Sequence, residues 1–212
     1  MYISFDYLCK NYGTPKGVIH IGAHLLEERD AYLRNGIKKI LWVEGNPSIF
    51  NQISSINDNN NIEYEKVVNH IISDVDDVEY DFKITNNGQS SSILDLDRHK
   101  IFHPEVSVVS SIKLKSKRMD TLIEEISLNI DNFNFINLDI QGVELLALKG
   151  FGDLLNKIDF VYTEVNVGYV YKDCALITEI DEYLSSFGFS RTETHLTEME
   201  WGDAFYVKKY NK

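Results

Sequence analysis

The chain has 212 residues, 43% of them hydrophobic, which is enough for one sizeable core. Its 33 acidic residues outnumber the 21 basic ones, and the formal net charge of −12 repels a nucleic-acid backbone instead of neutralising it. No apolar run reaches the roughly 20 residues of a membrane-spanning helix, and the start of the chain lacks a secretory signal pattern. We expect one cytoplasmic domain over residues 1–212 that binds no nucleic acid and has no membrane span.

The first part of the chain predicts a strand–helix–strand unit. A short apolar run ending at Gly22 is typical of a buried parallel strand, and Asn35-Gly36 supplies the stop of the helix that follows. Asn46 or Ser48 can cap the next helix. The predicted elements are a lead-in segment at 1–16, strands at 18–21 and 40–43, and helices at 25–35 and 49–56.

The rest of the chain continues the alternation of strands and helices. Residues 78–115 are interpreted as an insertion made of a hairpin, over 78–94, and a loop. The alternation predicts an α/β fold with a Rossmann-like, doubly wound and mostly parallel seven-stranded sheet, closed by an antiparallel C-terminal edge hairpin. The predicted strands are at 62–70, 78–85, 133–138, 158–165, 190–196 and 204–208, with residues 112–115 extended, and the helices are at 120–125, 143–148, 150–155 and 176–187.

The turn after the first strand indicates which cofactor the fold binds. Glu44 ends the second strand, where a carboxylate accepts hydrogen bonds from ribose hydroxyls. A dinucleotide fingerprint starting at Gly22 requires two further glycines, but His24 and Glu27 stand in their places. A carboxylate at the start of a helix opposes a phosphate. S-adenosylmethionine (SAM) has the ribose and a positive sulfonium without a phosphate, so this turn favours SAM.

Four segments carry a resemblance to a known family: VIHIGAH, LWVEGNP, INLDIQGVELLALKGF and VYTEVN. Together they resemble the FkbM-type methyltransferases, which are SAM-dependent O-methyltransferases with a Rossmann-like fold, several acting on sugar or natural-product hydroxyls. The resemblance covers about residues 17–207, and its most specific part is Asp139-x-x-Gly142-x-Glu144. His20 stands where many members have Asp, and Gln141 where they have Glu, so no acidic role is transferred to either position.

The strand-end rule and the resemblance together imply a cofactor site built from loops after four strands. The third strand's end is expected near the adenine, and a serine-rich step after the hairpin lines the same pocket. The predicted cofactor residues are His20, Gly22, Ala23, His24, Glu27, Glu44, Gly45, Asn46, His70, Ser73, Asp74, Ser91, Ser92, Asp139, Gln141 and Glu144.

Methyl transfer needs orientation and a base for the hydroxyl proton. Asp139 is the first candidate, as a base or as an orienter of the acceptor hydroxyl, and the others are Glu144, Glu164 and His195. An alternative is that Asp139, Glu164 and Asn166 hold Mg²⁺, since three oxygen ligands at adjacent strand ends suit that ion. Tyr169, Tyr171 and Trp201 are candidates for stacking on a sugar ring.

Structural interpretations compete with several of these assignments. His20 fits a hydrogen-bonded core residue, His24 a turn cap and Glu27 a dipole-complementing surface charge. Two other functions stay open: an NAD-dependent oxidoreductase, and a catalytically silent module that binds the cofactor. The expected reaction is methylation of a sugar or glycan hydroxyl, and the sequence leaves the acceptor and the oligomeric state open.

Overall fold

The computed structural model describes residues 1–55 and 62–209. These residues form ten strands, seven α-helices and two short 3-10 helices. The strands are β1 Val18–Ile21, β2 Lys39–Glu44, β3 Tyr64–Asn69, β4 Ile71–Ile72, β5 Glu79–Thr85, β6 Val108–Lys117, β7 Phe135–Leu138, β8 Phe160–Asn166, β9 Phe189–Leu196 and β10 Trp201–Lys208. The helices are α1 Phe5–Tyr12, α2 Arg29–Arg34, α3 Pro47–Ile53, α4 His99–Phe102, α5 Met119–Glu125, α6 Glu144–Phe151 and α7 Ile177–Ser186, and the 3-10 helices are Ile130–Asn132 and Gly152–Lys157.

Seven strands form the main sheet in the order β3-β2-β1-β7-β8-β10-β9. Strands β3, β2, β1, β7 and β8 are mutually parallel, whereas β10 is antiparallel to both β8 and β9. This confirms the predicted Rossmann-like fold with an antiparallel C-terminal hairpin. The chain winds outward in both directions from β1 and β7, so their carboxyl ends border the crevice in which such sheets bind ligands.

Helices cover both faces of this sheet because its central strands are apolar on both sides. Ile19 and Ile21 of β1 pack into a core with α5, α6 and α7, whereas Val18 belongs to a second core on the opposite face with α1 and α2. The alternation of side chains along a strand produces this division. In the second core Phe5 of α1 packs its ring 4.7 Å from that of Tyr32. The lead-in segment is therefore part of the domain's packing.

The helix predicted at 25–35 begins only at Arg29. His24 and Leu26 adopt positive φ angles of 40° and 65°, which no α-helix contains, so residues before Arg29 form successive turns. Leu25, expected on the buried face, is 50% exposed. The loop after β1 is consequently longer than the periodicity predicted.

A second sheet of three strands, ordered β4-β6-β5, replaces the predicted hairpin at 78–94. β5 pairs along its length with β6, antiparallel, and meets the expected return strand only at a bridge between Lys83 and Ser92. Residues 86–107 lie between β5 and β6 and include α4. Pairing between distant segments is fixed by tertiary packing, which local turn signals do not encode.

The remaining boundaries differ by a few residues. The strand predicted at 62–70 stops at Asn69, and the next residues enter the second sheet as β4. The helix predicted at 49–56 ends at Ile53, and its last predicted residue, Ile56, lies outside the described residues. Within the described ranges, no helix combines the length and apolar character needed to cross a membrane.

Candidate active site

A cleft of about 610 Å³ opens at the carboxyl ends of β1, β2 and β7. One wall is apolar and is formed by Ile71, Ile72, Phe82, Ile140 and Val143. Such a wall suits a flat aromatic base, with polar groups fixing its orientation. The polar and glycine residues that line the cleft are Gly22, His24, Glu44, Gly45, His70, Gly88, Gln89, Ser91, Ser92, Asp139 and Gln141.

Glu44 is held in one orientation at the end of β2. Its Oε2 accepts a hydrogen bond from the backbone N–H of His24 (2.8 Å), and its Oε1 accepts one from the N–H of Asn46 (2.7 Å). Burial raises the pKa of this carboxyl, while the two N–H donors oppose the shift. The carboxylate thus connects the loops after β1 and β2, and its remaining lone pairs are available to a ligand in the cleft.

Gly22 allows the loop after β1 to approach β7. Its φ is +91°, and a Cβ at this position would overlap the carbonyl oxygen of Asp139. No other residue fits here without moving one of the two strand ends. The glycine that the sequence motif singled out is therefore a requirement of close backbone packing at the crevice.

A second and larger cavity, of about 1300 Å³, adjoins the first. The two share Gly22, His24, Gln89, Asp139 and Gln141, so a group that leaves one enters the other past Asp139. The second cavity is more polar than the first. Its other lining residues are Met1, His20, Glu27, Glu28, Asn87, Ser90, His99, His103, Glu105, Val106, Glu164, Val170, Tyr171 and Trp201.

Two carboxylates from adjacent strands meet where the cavities join. The Nε2 amide of Gln141 donates hydrogen bonds to Asp139 Oδ1 (2.7 Å) and to Glu164 Oε2 (2.9 Å). The amide oxygen of Gln141 accepts a hydrogen bond from the Tyr171 hydroxyl. Gln141 has a φ of 60°, a conformation that non-glycine residues seldom adopt. One amide side chain therefore fixes both carboxylates.

The two carboxyl groups have unusual acidities. Desolvation within the crevice raises the pKa of Asp139 to about 6. Desolvation, together with the neighbouring charge of Asp139, raises the pKa of the buried Glu164 well above its ordinary value. With a pKa of about 6, Asp139 is largely ionised at neutral pH and is ready to accept a proton.

Glu144 stabilises the loop that follows β7. Its Oε1 accepts hydrogen bonds from the backbone N–H groups of Ile140 and Gly142, both at 3.1 Å, and so fixes the loop that carries Asp139. Burial raises the pKa of Glu144 to about 7. In the described structure Glu144 lines neither cavity, so its contact with a ligand would be indirect.

His20 lies in a buried polar network at the edge of the second cavity. Its Nδ1 is 3.0 Å from the Tyr32 hydroxyl, which accepts a hydrogen bond from Asn137 Nδ2 (2.8 Å). Burial lowers the pKa of His20 to about 4, so the imidazole is neutral at physiological pH. The structural interpretation of this histidine agrees with the geometry.

The structure brings most of the predicted cofactor residues to the two cavities. His20 and Glu27 line the second cavity alone, and Gly22, His24, Glu44, Gly45, His70, Ser91, Ser92, Asp139 and Gln141 line the first. In the part of the chain that the structure describes, Ala23, Asn46, Ser73, Asp74 and Glu144 line neither. Asn46 instead caps α3, and Ser73 hydrogen-bonds its neighbour Asp74.

His195 was predicted as a catalytic candidate. Among the described residues it lines neither cavity. It is on the edge strand β9, where its ring stacks on that of Tyr2 at a centroid distance of 4.9 Å. β10 separates β9 from Glu164 on β8. The sequence did not show that β10 would insert between these strands.

The proposed Mg²⁺ ligands do not form a metal site. The Gln141 amide, with its N–H donors, occupies the position between Asp139 and Glu164. Asn166 is fully buried, and its side-chain amide has no hydrogen-bond partner within residues 1–55 and 62–209. Among the same residues, no group of three or more His, Cys, Asp or Glu side chains is arranged to hold a metal ion. The donor set does not fit Mg²⁺.

Several residues at the two cavities carry no signal in the sequence. Gln89, Ser90, His99, His103 and Glu105 belong to the segment between β5 and β6, which has neither helical nor strand periodicity. Their polar character was visible, but only the pairing of β5 with β6 folds the segment over the carboxyl ends of the main sheet. Trp201 was predicted on the acceptor side and lines the second cavity, whereas Tyr169 lies outside both as described.

Comparison with solved structures shows a shared fold. The chain resembles magnesium protoporphyrin IX methyltransferase (ChlM) from Synechocystis PCC 6803 with bound SAM, with a TM-score of 0.51 and 10% identity over 96% of this chain and 76% of that one. It resembles the methyltransferase domain of bacterial CtHen1 at a TM-score of 0.49 and 8% identity, over 94% of this chain and 93% of the other. The second similarity is too weak to support a conclusion. No significant match was found among curated proteins.

The family is established by a family model that matches most of the chain. The model of the methyltransferase FkbM domain matches residues 12–191, which include the carboxyl ends of β1, β2, β7 and β8. The resemblance carried by the four sequence segments is thereby confirmed. The oriented Glu44, the close approach at Gly22 and the absence of a dinucleotide fingerprint agree with it. The chain belongs to the FkbM methyltransferase family and is a SAM-dependent methyltransferase.

Proposed function

We propose that the protein transfers the methyl group of SAM to a hydroxyl of a sugar or a related polyol. SAM binds in the first cleft and the acceptor in the second cavity, with the methyl group passing where the two join. The observation that supports this proposal most directly is the position of Asp139, which lines both cavities and is fixed by Gln141.

The first cleft fits the parts of SAM. The apolar wall around Phe82 suits the adenine, and the carboxylate of Glu44 suits the ribose hydroxyls. The turn containing His24 and Glu27 borders both cavities and suits the charged methionine end, since its carboxylate complements an ammonium group. SAM supplies a methyl group on a positive sulfonium, which is an electrophile with a good leaving group.

The residues of the chain then have two tasks, to orient the acceptor and to remove a proton. A carboxylate of Asp139 accepts the hydroxyl proton as the acceptor oxygen forms its bond to the methyl carbon and the sulfur–methyl bond breaks. Orientation supplies most of the rate, because the reacting carbon is already activated. Burial raises the pKa of Glu164 well above its ordinary value, which favours the protonated form of this carboxyl, and that form donates a hydrogen bond.

The polar and aromatic lining of the second cavity supports a polyol acceptor. Gln89, Asn87 and Ser90 offer donors and acceptors for several hydroxyls, and the indole of Trp201 offers an apolar surface of the kind that sugar C–H faces contact. We do not include Mg²⁺ in the mechanism, because its proposed ligands do not fit the ion.

Product analysis tests the proposal. The purified protein is incubated with methyl-labelled SAM and a panel of monosaccharides and cyclitols, and the products are identified by NMR. We expect an O-methyl ether, together with stoichiometric SAM binding in calorimetry. SAM binding with no transfer to any hydroxyl compound would favour the silent cofactor-binding module, and a methylated nitrogen or carbon would contradict the O-methyltransferase assignment.

A further inference from the structure

The charge of the second cavity indicates what kind of acceptor it receives. Glu27, Glu28, Glu105, Asp139 and Glu164 line it, and among the described residues no Lys or Arg side chain lines either cavity. The nearby guanidinium of Arg98 is engaged elsewhere, in an ion pair with Glu200 at 2.5 Å. An acceptor bearing a phosphate or carboxylate would meet carboxylates with no lysine or arginine beside them to compensate its charge.

The neutralising groups in this cavity are few. The α-ammonium of Met1 lies 3.3 Å from Glu28, the His24 imidazole lies 2.6 Å from Glu27, and the His103 imidazole lies 3.5 Å from Glu105. Two other histidines are neutral at physiological pH, because burial lowers the pKa of both His20 and His99. SAM itself adds an ammonium, a carboxylate and a positive sulfonium, and so brings one net positive charge. The carboxyl groups of Glu27, Glu28, Glu105 and Asp139 still outnumber the full positive charges of Met1 and SAM.

His99 gives an independent indication that a ligand enters here. It lines the cavity and is only 6% exposed, and its Nδ1 has no hydrogen-bond partner within the described residues. A buried ring nitrogen without a partner is costly unless a ligand or water satisfies it. A neutral imidazole has one N–H and one bare nitrogen, so the group that completes Nδ1 is a hydrogen-bond acceptor or donor according to which nitrogen carries the proton, and a hydroxyl can be either.

We propose that the acceptor is an amino polyol, such as an amino sugar or aminocyclitol, whose protonated amine is bound by the carboxylates of the second cavity while a hydroxyl faces Asp139. This inference rests on the proposed function, since it names the acceptor of the same site. The protonated amine supplies N–H donors to the carboxylates of the second cavity, and the same carboxylates disfavour phosphorylated analogues.

Binding of three sugars with the same ring tests this inference. Glucosamine, glucose and glucose 6-phosphate are titrated at pH 7 into the full-length protein saturated with S-adenosylhomocysteine, and binding is measured by NMR or calorimetry. We expect glucosamine to bind at least about tenfold more tightly than glucose, as a charge-assisted hydrogen bond provides, and glucose 6-phosphate to bind most weakly. Equal binding of glucosamine and glucose, tighter binding of the phosphate, or no binding of glucosamine would overturn the inference.

Matched variants show which carboxylates give the preference for glucosamine over glucose. Glu105→Gln and Glu28→Gln, separately and combined, are expected to reduce the preference for glucosamine over glucose by about threefold or more, with the affinity for glucose unchanged. Glu182→Gln, on the exposed side of α7, is expected to keep the preference. An unchanged preference in the combined variant would contradict the assignment. Binding of S-adenosylhomocysteine to the wild type is recorded separately, and its failure would reject the proposed function instead.

Discussion

Gly22 and Asp139 are in contact through their backbones at the ends of β1 and β7, where a Cβ on Gly22 would overlap the Asp139 carbonyl oxygen. This contact sets the distance between the loop that borders the cofactor cleft and the residue proposed to accept the proton. The architecture of the site therefore depends on one position without a side chain.

Gly22→Ala is expected to lower the free energy of unfolding by about 1–3 kcal/mol and SAM affinity by at least about tenfold, because both the positive φ and the overlap are unfavourable. Urea unfolding and calorimetry measure the two effects. Gly36→Ala is the matched control, since Gly36 has a φ of +84° but an added Cβ meets nothing within 4 Å. Equal effects of the two substitutions would show that the backbone conformation, and not the contact with Asp139, is responsible.

Glu44→Ala is expected to weaken SAM binding by about 1–3 kcal/mol through the loss of charge-assisted hydrogen bonds to the ribose. Calorimetry with SAM measures it. Glu63→Ala, a substitution of an exposed glutamate, serves as the control. An affinity equal to that of the wild type would place the ribose elsewhere.

The methyl-transfer rate is expected to depend on the ionisation of Asp139. Because its pKa is raised to about 6, kcat/KM falls as the pH is lowered through that value, where the carboxylate takes up a proton. Gln141→Glu places a third carboxylate beside Asp139 and Glu164, and is expected to move the fall in kcat/KM to higher pH. Gln52→Glu, on the surface, is expected to leave the pH of this fall unchanged. Superimposable pH profiles for the wild type and Gln141→Glu would argue against a titrating Asp139.

Glu144 is expected to make the stability of the protein depend on pH. Its folded-state pKa of about 7 lies above the ordinary value of 4.5, so its contribution is present below pH 4.5 and is lost as the pH rises towards 7. Glu144→Gln keeps an oxygen for the N–H groups of Ile140 and Gly142 but does not titrate. The stability of the variant relative to the wild type should therefore rise between pH 4.5 and 7, measured by thermal or urea unfolding. A constant difference across this range would contradict the raised pKa.

The main sheet and the cofactor side of the site could be predicted from local patterns. The run before Gly22 and the carboxylate of Glu44 at the end of the next strand are each local signals, and the mostly parallel sheet follows from the alternation of strands and helices. The acceptor side could not be predicted in this way. His99 and Glu105 reach the cavity only through the pairing of β5 with β6, and His195 leaves it because β10 inserts between β8 and β9.

The role of Gln141 is another feature that local sequence patterns could not predict. The sequence showed an amide where relatives have an acid, which left its role open. The structure shows that its two N–H donors are shared by Asp139 and Glu164, from separate strands. A residue type that looked like a departure from the motif is the group that orients the proposed base.

The most direct test of the mechanism is the turnover of Asp139→Asn with SAM and a hydroxyl acceptor, compared with its affinity for SAM. Removal of a positioned general base is expected to lower kcat by about 10²–10⁴-fold while calorimetry shows SAM affinity within about threefold of the wild type. Glu182→Gln is expected to match the wild type in both measurements. A variant that retains most of its kcat would contradict the assignment of Asp139 as the group that accepts the hydroxyl proton.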